Sequence, residues 1–275
     1  MTRRVLMCEP VHYRIDYEIN PWMRRANAVR TERANAQWRG LRETLTALGV
    51  EVELVEQGTD TPDMTFTANA GVVVGERFIP ANFRFPERQL EEGRFTDWFE
   101  THGYRIETVH EPHFWEGEGD VLPADGAVFA GYRFRTEFRA LDHIDELLGR
   151  ETVRLELTDP RFYHLDTCLA PLGGGRGLFY PLAFTEASQK ALKEHFPTLI
   201  AVSERDAARF ACNAVLAGET VVLNTGCGET VRALRDHGFA VAETPMDEFI
   251  KAGGSVKCLV LMLDAFREFD GRGRP

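Results

Sequence analysis

Two short apolar runs about a glycine-containing turn form a unit that recurs along the chain. The stretch NAGVVVGERFIPANF (69–83) has this form and predicts a β-hairpin. In the next stretch, PERQLEEGRFTDWFETHG (86–103), a proline stands at the first helical position, apolar residues recur at helical spacing, and a glycine ends the pattern. The alternation in YRIETV (104–109) then predicts a strand. The order is therefore hairpin, helix and strand.

The same order follows three more times, although the residues differ. The further hairpins open with GAVFAGY (126–132), HLDTCLAPLG (164–173) and NAVLAGE (213–219), and each precedes a helical and then a strand-like stretch. The last strand, SVKCLVLML (255–263), has no helix after it. The N-terminus supplies the missing parts, namely RRVLMCEP, a helix over about 31–48, and VEVELVE. Five ββαβ units predict an α/β repeat fold.

The first strand of each unit opens on a polar or reactive residue. These residues are Asn69, Asp120, His164, Asn213 and Cys258, at steps of 51, 44, 49 and 45 residues. Stacking the units about an axis would bring equivalent positions together, so we expect these strand ends to converge on one central cleft. The alternative is that strands commonly begin after a polar residue, whatever their function.

Composition narrows the class of protein. With 275 residues, of which 44% are hydrophobic, the chain can bury a sizeable core, and we expect one domain over 1–275. The net charge of −11 argues against nucleic acid or an anionic membrane as a partner, because both require a basic surface. The apolar runs are too short for a signal peptide or a membrane span.

The five cysteines indicate neither a disulfide framework nor a zinc site, because their number is odd and no pair has CxxC spacing. Reduced thiols in the cytoplasm are the simplest interpretation. HExxH, GxGxxG and P-loop motifs are absent, so we expect no metal and no cofactor.

Five motifs in order resemble the guanidine-modifying superfamily, the pentein fold, which includes arginine deiminase, dimethylarginine dimethylaminohydrolase, amidinotransferase and arginine dihydrolase. They are PDMTFTANAG, FWEGEGD, GYRFRT, YHLDT and GGSVKC, and the resemblance runs from about residue 5 to 263. The N-terminal CEPVHYRIDYEINPWM and the asparagine of FTANAG are most similar to the arginine dihydrolase branch. The fold implied is a five-bladed α/β propeller with the active site on its axis.

The chemistry of a guanidinium group needs a soft nucleophile and an acid–base group. Cys258 follows the pair Gly253–Gly254, and by itself would be read as a small core residue. The resemblance places the superfamily's nucleophile there, and a thiolate suits attack on a poor electrophile. His164, in the HLDT motif and in phase with the repeat, is the expected acid and base, because its pKa lies near neutrality. A structural role for His164 is the alternative.

A cationic substrate in a closed site also needs carboxylates. By resemblance, Asp166 would contact the guanidinium nitrogens. In WEGEGD, deiminases and dimethylargininases have glutamate three residues before the aspartate, where this chain has Gly117. The dihydrolase-like form points to Glu116 as the catalytic carboxylate, with Glu118 as the alternative. Asp120 is counted among the substrate-binding residues, with the expected role of a hinge residue that supports the groups in direct contact with the substrate.

Asn69 stands where deiminases and dimethylargininases have an aspartate. A neutral amide donates and accepts hydrogen bonds, so it could hold a neutral ureido group as well as a cation. This permits two hydrolyses, from arginine to citrulline and from citrulline to ornithine. The alternative is that Asn69 only caps a turn.

Arginines suit the α-carboxylate of an amino-acid substrate. Arg135 in YRFRT matches the family's carboxylate-binding arginine, Arg88 is the expected second, and Arg84 is a weaker candidate. Asn20 is expected to contact the α-amino group. Each of these residues could instead be a solvated surface group.

The sequence thus predicts a cysteine hydrolase acting on arginine through a thiouronium intermediate, with arginine dihydrolase favoured. Arginine deiminase, dimethylarginine dimethylaminohydrolase and amidinotransferase are the alternatives, and a non-catalytic binding propeller is the alternative from another class. The expected partner is a small guanidino amino acid, and nothing in the sequence excludes a homo-oligomer.

Overall fold

Each apolar hairpin of the sequence forms two strands of a small sheet, and the strand that follows the helix adds a third. The computed structural model describes residues 3–109 and 113–269. The strands are β1 (Arg4–Cys8), β2 (Glu51–Val55), β3 (Gly71–Val74), β4 (Arg77–Pro80), β5 (Arg105–Ile106), β6 (Val121–Ala124), β7 (Ala127–Tyr132), β8 (Val153–Glu156), β9 (Leu169–Gly173), β10 (Arg176–Phe179), β11 (Thr198–Ala201), β12 (Val215–Ala217), β13 (Thr220–Asn224), β14 (Ala240–Thr244) and β15 (Leu261–Met262). The helices are α1 (Thr31–Ala47), α2 (Pro86–Thr101), α3 (Ala140–Leu148), α4 (Glu186–His195), α5 (Glu204–Ala207), α6 (Gly228–Asp236) and α7 (Asp247–Ile250).

Within the described ranges the strands form five three-stranded sheets, ordered β15-β1-β2, β3-β4-β5, β6-β7-β8, β9-β10-β11 and β12-β13-β14. In each sheet the middle strand is antiparallel to the hairpin partner and parallel to the strand that follows the helix. The first sheet combines the last strand with the N-terminal β1 and β2, as the repeat pattern predicted. Both ends of the described chain therefore complete one sheet.

The helices begin and end where local chemistry requires. Pro86 occupies the first turn of α2, where its missing N–H is not needed. Thr185 caps α4 by accepting a hydrogen bond from the Ser188 backbone N–H. Gly149 ends α3 in the left-handed conformation, at φ 68°. None of the described helices is both long and apolar enough to cross a membrane.

Tight 3₁₀ turns precede four of the described inner strands, where Asn69 and Cys258 lie within a turn, Asp120 and His164 flank one, and Asn213 lies in a bend before β12. These turns are Thr67–Ala70, Gly117–Gly119, Leu165–Thr167 and Lys257–Leu259. The predicted strand over 255–263 is accordingly shorter, with regular pairing at Leu261–Met262. A 3₁₀ turn satisfies backbone groups locally, so the chain can line a central cleft where no neighbouring strand offers partners.

Two cavities lie among the central elements. A small one of about 10 Å³ is lined by residues that include Asn69, Arg88, Arg135, Tyr163 and Cys258. A larger one of about 380 Å³ runs along the inner strands, and Glu118 and Lys257 are among its lining residues. Of the predicted site residues, Asn20, Asn69, Arg88, Arg135 and Cys258 line the smaller cavity, whereas Glu116, Asp120, His164 and Asp166 do not.

Candidate active site

Two glycines of WEGEGD give the turn before β6 its shape. Gly117 has φ +57°, and a Cβ there would lie 2.5 Å from the backbone nitrogen of Gly71. A Cβ on Gly119 would lie 2.4 Å from Asn69 Nδ2 and 3.2 Å from the ring of His164. Glycine at these positions allows the turn to pack directly against Asn69 and His164.

Glu116 and Glu118, one on each side of Gly117, enter different networks. The Glu116 carboxylate is fully buried, and its Oε2 accepts from His164 Nε2 at 2.8 Å and from Arg135 Nη1 at 2.9 Å. Glu118 Oε2 instead accepts from Lys257 Nζ at 2.9 Å and from the Met262 backbone N–H at 3.0 Å. The structure therefore places Glu116 beside His164, and Glu118 toward the larger cavity.

Hydrogen bonds on both sides of His164 define its tautomer. Because an ionised carboxylate only accepts, His164 Nε2 carries the proton that faces Glu116. Asn69 Oδ1 accepts from Arg88 Nη1 at 2.7 Å, which turns Asn69 Nδ2 toward His164 Nδ1 at 3.4 Å. Nδ1 is therefore an unprotonated acceptor, and the imidazole is neutral.

Burial and the nearby arginines set the protonation states of His164 and Glu116. Burial lowers the pKa of His164 to about 4, assisted by Arg135 and Arg88 and opposed by Glu116. Burial disfavours ionisation of Glu116, but Arg135 and His164 outweigh it and hold the pKa of this carboxyl well below its usual range. The empty site thus pairs a neutral imidazole with a carboxylate.

Cys258 and Asp166 form the second pair. The thiol is buried, and Cys258 Sγ donates to Asp166 Oδ2 at 3.3 Å. Burial and the nearby Asp166 raise the pKa of Cys258 well above its usual value. Burial also raises the pKa of Asp166 to about 7, against the effect of Lys257. Without a cation nearby, Cys258 is therefore a protonated thiol.

Asp166 keeps one oxygen available. Its Oδ1 is buried without a hydrogen-bond partner in the described part of the chain, whereas Oδ2 faces the thiol. An unpaired buried acceptor is costly unless a ligand supplies a donor. This oxygen is suited to an N–H group held close to Cys258.

Both predicted carboxylate-binding arginines line the small cavity, and both are paired with carboxylates. Arg88 forms a bidentate ion pair with Glu91, in which Nε donates to Oε1 at 2.9 Å and Nη2 donates to Oε2 at 2.7 Å. Arg135 bonds Glu116 and lies over the ring of Tyr163, 4.6 Å from its centroid. Arg84 takes part through its backbone N–H, which donates to Glu116 Oε1 at 3.3 Å.

Asn20 reaches the same cavity from the N-terminal segment. Its Nδ2 donates to the Ala252 carbonyl at 2.9 Å and to the hydroxyl of Tyr163 at 3.3 Å. Trp22, two residues on, donates from its indole to the Arg161 carbonyl at 2.7 Å. Ile19 and Asn20 thus line part of the cavity, and a volume of about 10 Å³ is too small for an amino acid, so binding requires the lining to rearrange.

Asp120 is not among the residues that line the small cavity. Its Oδ1 accepts from the Leu165 backbone N–H at 3.0 Å, and its Oδ2 accepts from Thr136 Oγ1 at 2.7 Å. Asp120 thus connects the turn that carries His164 to the segment after β7. Both of its carboxylate oxygens therefore have partners within the protein, and Oδ2 lies 4.0 Å from His164 Nε2.

Sequence reasoning did not assign roles to Asp63, Tyr163 or Asn213. Asp63 lines the small cavity, and its Oδ1 is buried without a partner within the described ranges. Asn213 contacts Cys258 Sγ at 3.1 Å. Asp63 lies within PDMTFTANAG, and Asn213 is in phase with the repeat, so both carried a signal that pointed to the centre.

A family profile described as N,N dimethylarginine dimethylhydrolase, eukaryotic, matches residues 11–264. The chain belongs to this family. The predicted resemblance to guanidine-modifying proteins is confirmed.

Two curated members illustrate the range of this dimethylarginine dimethylhydrolase family. The bifunctional arginine dihydrolase/ornithine cyclodeaminase ArgZ of Synechocystis sp. is 43% identical over 263 residues, which is 94% of this chain and 37% of that protein. The N(G),N(G)-dimethylarginine dimethylaminohydrolase of Mycobacterium tuberculosis is 43% identical over 260 residues, which is 94% of this chain and 85% of that protein. This chain thus spans little more than a third of the bifunctional relative.

A solved structure of the N-terminal domain of ArgZ, covalently bound to a reaction intermediate, has a TM-score of 0.91 at 42% identity. The match covers 95% of this chain and 97% of that one. The predicted fold class, five ββαβ units in a propeller-like α/β arrangement, is confirmed.

Proposed function

We propose that this chain is a cysteine-dependent hydrolase of the arginine guanidinium group, and that it carries out two successive hydrolyses to ornithine, ammonia and carbon dioxide. The observation that carries the proposal is the lining of the small cavity. Cys258 and Asn69 lie there with two arginines and Asp63, which is the charge pattern that complements an α-amino acid. The family match and the ArgZ relative support the same chemistry.

The amino-acid end of the substrate is proposed to bind between Arg88, Arg135 and Asp63. Burial raises the pKa of Asp63, and its Oδ1 has no partner in the described part of the chain. An α-ammonium group would supply both the charge and the donor that this carboxyl needs. The two arginines would then exchange part of their contact with protein carboxylates for the substrate carboxylate.

We expect replacement of Arg88 or Arg135 with alanine to weaken the binding of arginine much more than the binding of a substrate without the α-carboxylate, such as decarboxylated arginine. The reason is that only a substrate with an α-carboxylate can form hydrogen bonds with these two guanidinium groups. The KM of both substrates for each variant is the measurement, and Arg84→Ala is the matched control, because Arg84 contributes a backbone group to the site. An equal loss for both substrates would assign the two arginines a structural role.

Thiol activation follows from the cation itself. Cys258 stays protonated in the empty site because burial and Asp166 disfavour the thiolate. A guanidinium placed between Cys258 and Asp166 reverses this balance, since an opposite charge nearby favours the ionised forms of both groups. We propose that the thiol proton passes to the unprotonated Nδ1 of His164 as the substrate binds, whereas Asp166 stays ionised beside the cation.

The proposed first hydrolysis has two halves. The Cys258 thiolate attacks the guanidinium carbon, protonated His164 gives its proton to the departing nitrogen, and the carbon–nitrogen bond breaks, so that ammonia leaves and a thiouronium adduct forms. His164 then removes a proton from water, which attacks the adduct and releases the thiolate and citrulline. Glu116 stabilises the imidazolium that forms during this exchange.

The proposed second hydrolysis depends on Asn69. A ureido group is neutral, so carboxylates alone hold it weakly, whereas the Asn69 amide can donate to its oxygen. Attack by Cys258 expels the second ammonia and leaves a thiocarbamate. Water releases a carbamate, which loses carbon dioxide to give ornithine.

Asn69→Asp is expected to leave citrulline as the end product, whereas the unmodified protein converts arginine to ornithine and consumes added citrulline. A carboxylate favours the cationic substrate and cannot donate to the ureido oxygen when ionised. Amino-acid analysis after full conversion, with ammonia counted per arginine, measures the outcome. If the unmodified protein stops at citrulline, the dihydrolase proposal fails.

Dimethylarginine is the second candidate substrate, and the Mycobacterium tuberculosis relative named for that activity is the observation that favours it. A single assay separates the candidates. Arginine, citrulline and dimethylarginine are each supplied, and ornithine, citrulline, ammonia and dimethylamine are measured. Release of dimethylamine with no conversion of arginine would replace the proposal with a dimethylargininase, and transfer to an added amine would indicate an amidinotransferase.

We also propose that the chain is one domain over 1–275, supported by the sheet that joins β15 to β1. The five buried cysteines are free thiols, which supports the proposal of a reducing compartment such as the cytoplasm.

A further inference from the structure

The side chain of Asn213 is completely buried between the two halves of the Cys258–Asp166 pair. Its Oδ1 accepts from the backbone N–H groups of Ser255 and Cys258, each at 3.1 Å. Its Nδ2 donates to the Asp166 backbone carbonyl at 3.1 Å and to Cys258 Sγ at 3.1 Å. One amide thus joins the turn that presents the thiol to the turn that presents its partner carboxylate.

The orientation of this amide is determined from both ends. Backbone N–H groups can only donate, so the atom facing Ser255 and Cys258 must be the oxygen. The carbonyl of Asp166 can only accept, so the atom facing it must be the nitrogen. The group directed at Cys258 Sγ is therefore an N–H donor.

An N–H group aimed at sulfur affects the two states of the thiol differently. A hydrogen bond from a neutral donor stabilises a thiolate more than a thiol, because the accepting atom carries the charge. Asp166 acts in the opposite sense, since its carboxylate disfavours a second negative charge 3.3 Å away. Burial and Asp166 raise the pKa of Cys258, whereas the contacts from the Ser255 backbone and from Asn213 lower it.

We propose that Asn213 is a positioning residue for the reaction, which holds the turn of Cys258 through its Oδ1 and stabilises the Cys258 thiolate through its Nδ2. The inference rests on the proposed role of Cys258 as the nucleophile. Because Asn213 also bonds the backbone of Asp166, it sets the separation of the thiolate and the carboxylate between which the guanidinium is proposed to lie.

Asn213→Asp separates the two tasks of the side chain. The new carboxyl has nearly the same shape and still accepts from Ser255 and Cys258, but when ionised it donates nothing to Sγ and repels a thiolate.

Asn224→Asp is the matched control. Asn224 is equally buried and bridges backbone groups in the same way, accepting from the Met246 N–H at 3.0 Å and donating to the Arg209 carbonyl at 3.0 Å. Asn213→Ala removes the donor without adding a charge, so it tests the same point if the aspartate variant is unstable.

The measurement is the rate of alkylation of Cys258 by iodoacetamide as a function of pH, without substrate, with the modified cysteine identified by peptide mass spectrometry. We expect the apparent pKa of the Cys258 thiol to rise by about one unit or more in Asn213→Asp and Asn213→Ala, which is about a tenfold slower reaction at a pH below it. We expect Asn224→Asp to follow the unmodified profile. Thermal unfolding shows that each variant is folded, and kcat for arginine should fall in the Asn213 variants with a smaller change in KM.

An unchanged alkylation profile in the Asn213 variants would overturn the inference, and so would an equal shift in Asn224→Asp, because both outcomes assign Asn213 a packing role only. The alkylation profile does not need turnover. If the protein fails to hydrolyse arginine but the profile shifts, the proposed function fails and the stabilisation of the thiolate stands. If it hydrolyses arginine and the profile does not shift, only the inference about Asn213 fails.

Discussion

Replacing Cys258 with serine is expected to abolish the turnover of arginine, with a loss on the order of 10⁶ in kcat, as when the nucleophile of another enzyme is removed. A serine hydroxyl holds its proton more tightly than a thiol does. His164, whose pKa burial lowers to about 4, is far too weak a base to remove it. The measurement is steady-state turnover together with an acid quench of the unmodified protein during turnover, followed by mass spectrometry of the trapped adduct.

The other four cysteines provide matched controls. Cys8, Cys168, Cys212 and Cys227 are all buried and free, and burial raises the pKa of each thiol above its usual value. Serine at each should lower stability modestly and leave kcat close to that of the unmodified protein. An adduct on any of these four, or none on Cys258, would remove Cys258 from its proposed role.

Glu116→Gln is expected to lower kcat by roughly 10²–10⁴, the contribution of a positioned acid–base group and its partner. The amide can still accept from the neutral imidazole, but it no longer offsets the charge of the imidazolium that forms when His164 takes a proton. It also leaves Arg135, which donates to Glu116 at 2.9 Å, without its carboxylate partner. Because the imidazolium forms only during turnover, the effect should appear in kcat more than in KM.

Glu118→Gln is the control for this prediction, because it is a glutamate two residues away that is equally buried. Its carboxylate bonds Lys257 and the backbone of Met262, so its replacement should lower the temperature of unfolding more than it lowers kcat. Measurements of kcat and of thermal unfolding for both variants decide the matter. A greater loss of turnover in Glu118→Gln than in Glu116→Gln would exchange the two assignments.

The local signals in the sequence were sufficient to predict the units of the fold. The helix predicted over 86–103 is α2 (Pro86–Thr101), and the one predicted over 31–48 is α1 (Thr31–Ala47). Proline, glycine and the period of apolar residues act within a few residues, so they can be recognised without knowledge of the fold. The boundaries of the inner strands were less well predicted, because the 3₁₀ turns before them form only where the units meet at the centre.

The residues of the site were also recognisable, but their partners were not. The repeat phase marked Asn69, His164, Asn213 and Cys258 as residues that would converge, and the structure brings them together. The phase did not distinguish Asn69 and Cys258, which line the small cavity, from Asp120, whose carboxylate bonds a backbone N–H and a threonine. A position in a repeat indicates where a side chain starts, whereas the direction it takes depends on its neighbours from other units.

The sequence by itself determined the number and order of the units, the kinds of chemical group at their centre, and the family to which the chain belongs. Only the tertiary structure decided which glutamate of WEGEGD meets His164. It also decided that Asn213 directs an N–H group at the sulfur of Cys258. The reason is physical, since these contacts join residues from different units. Their geometry depends on the backbone angle at Gly117, and on the exclusion of water, which leaves each buried polar atom to find a partner within the protein.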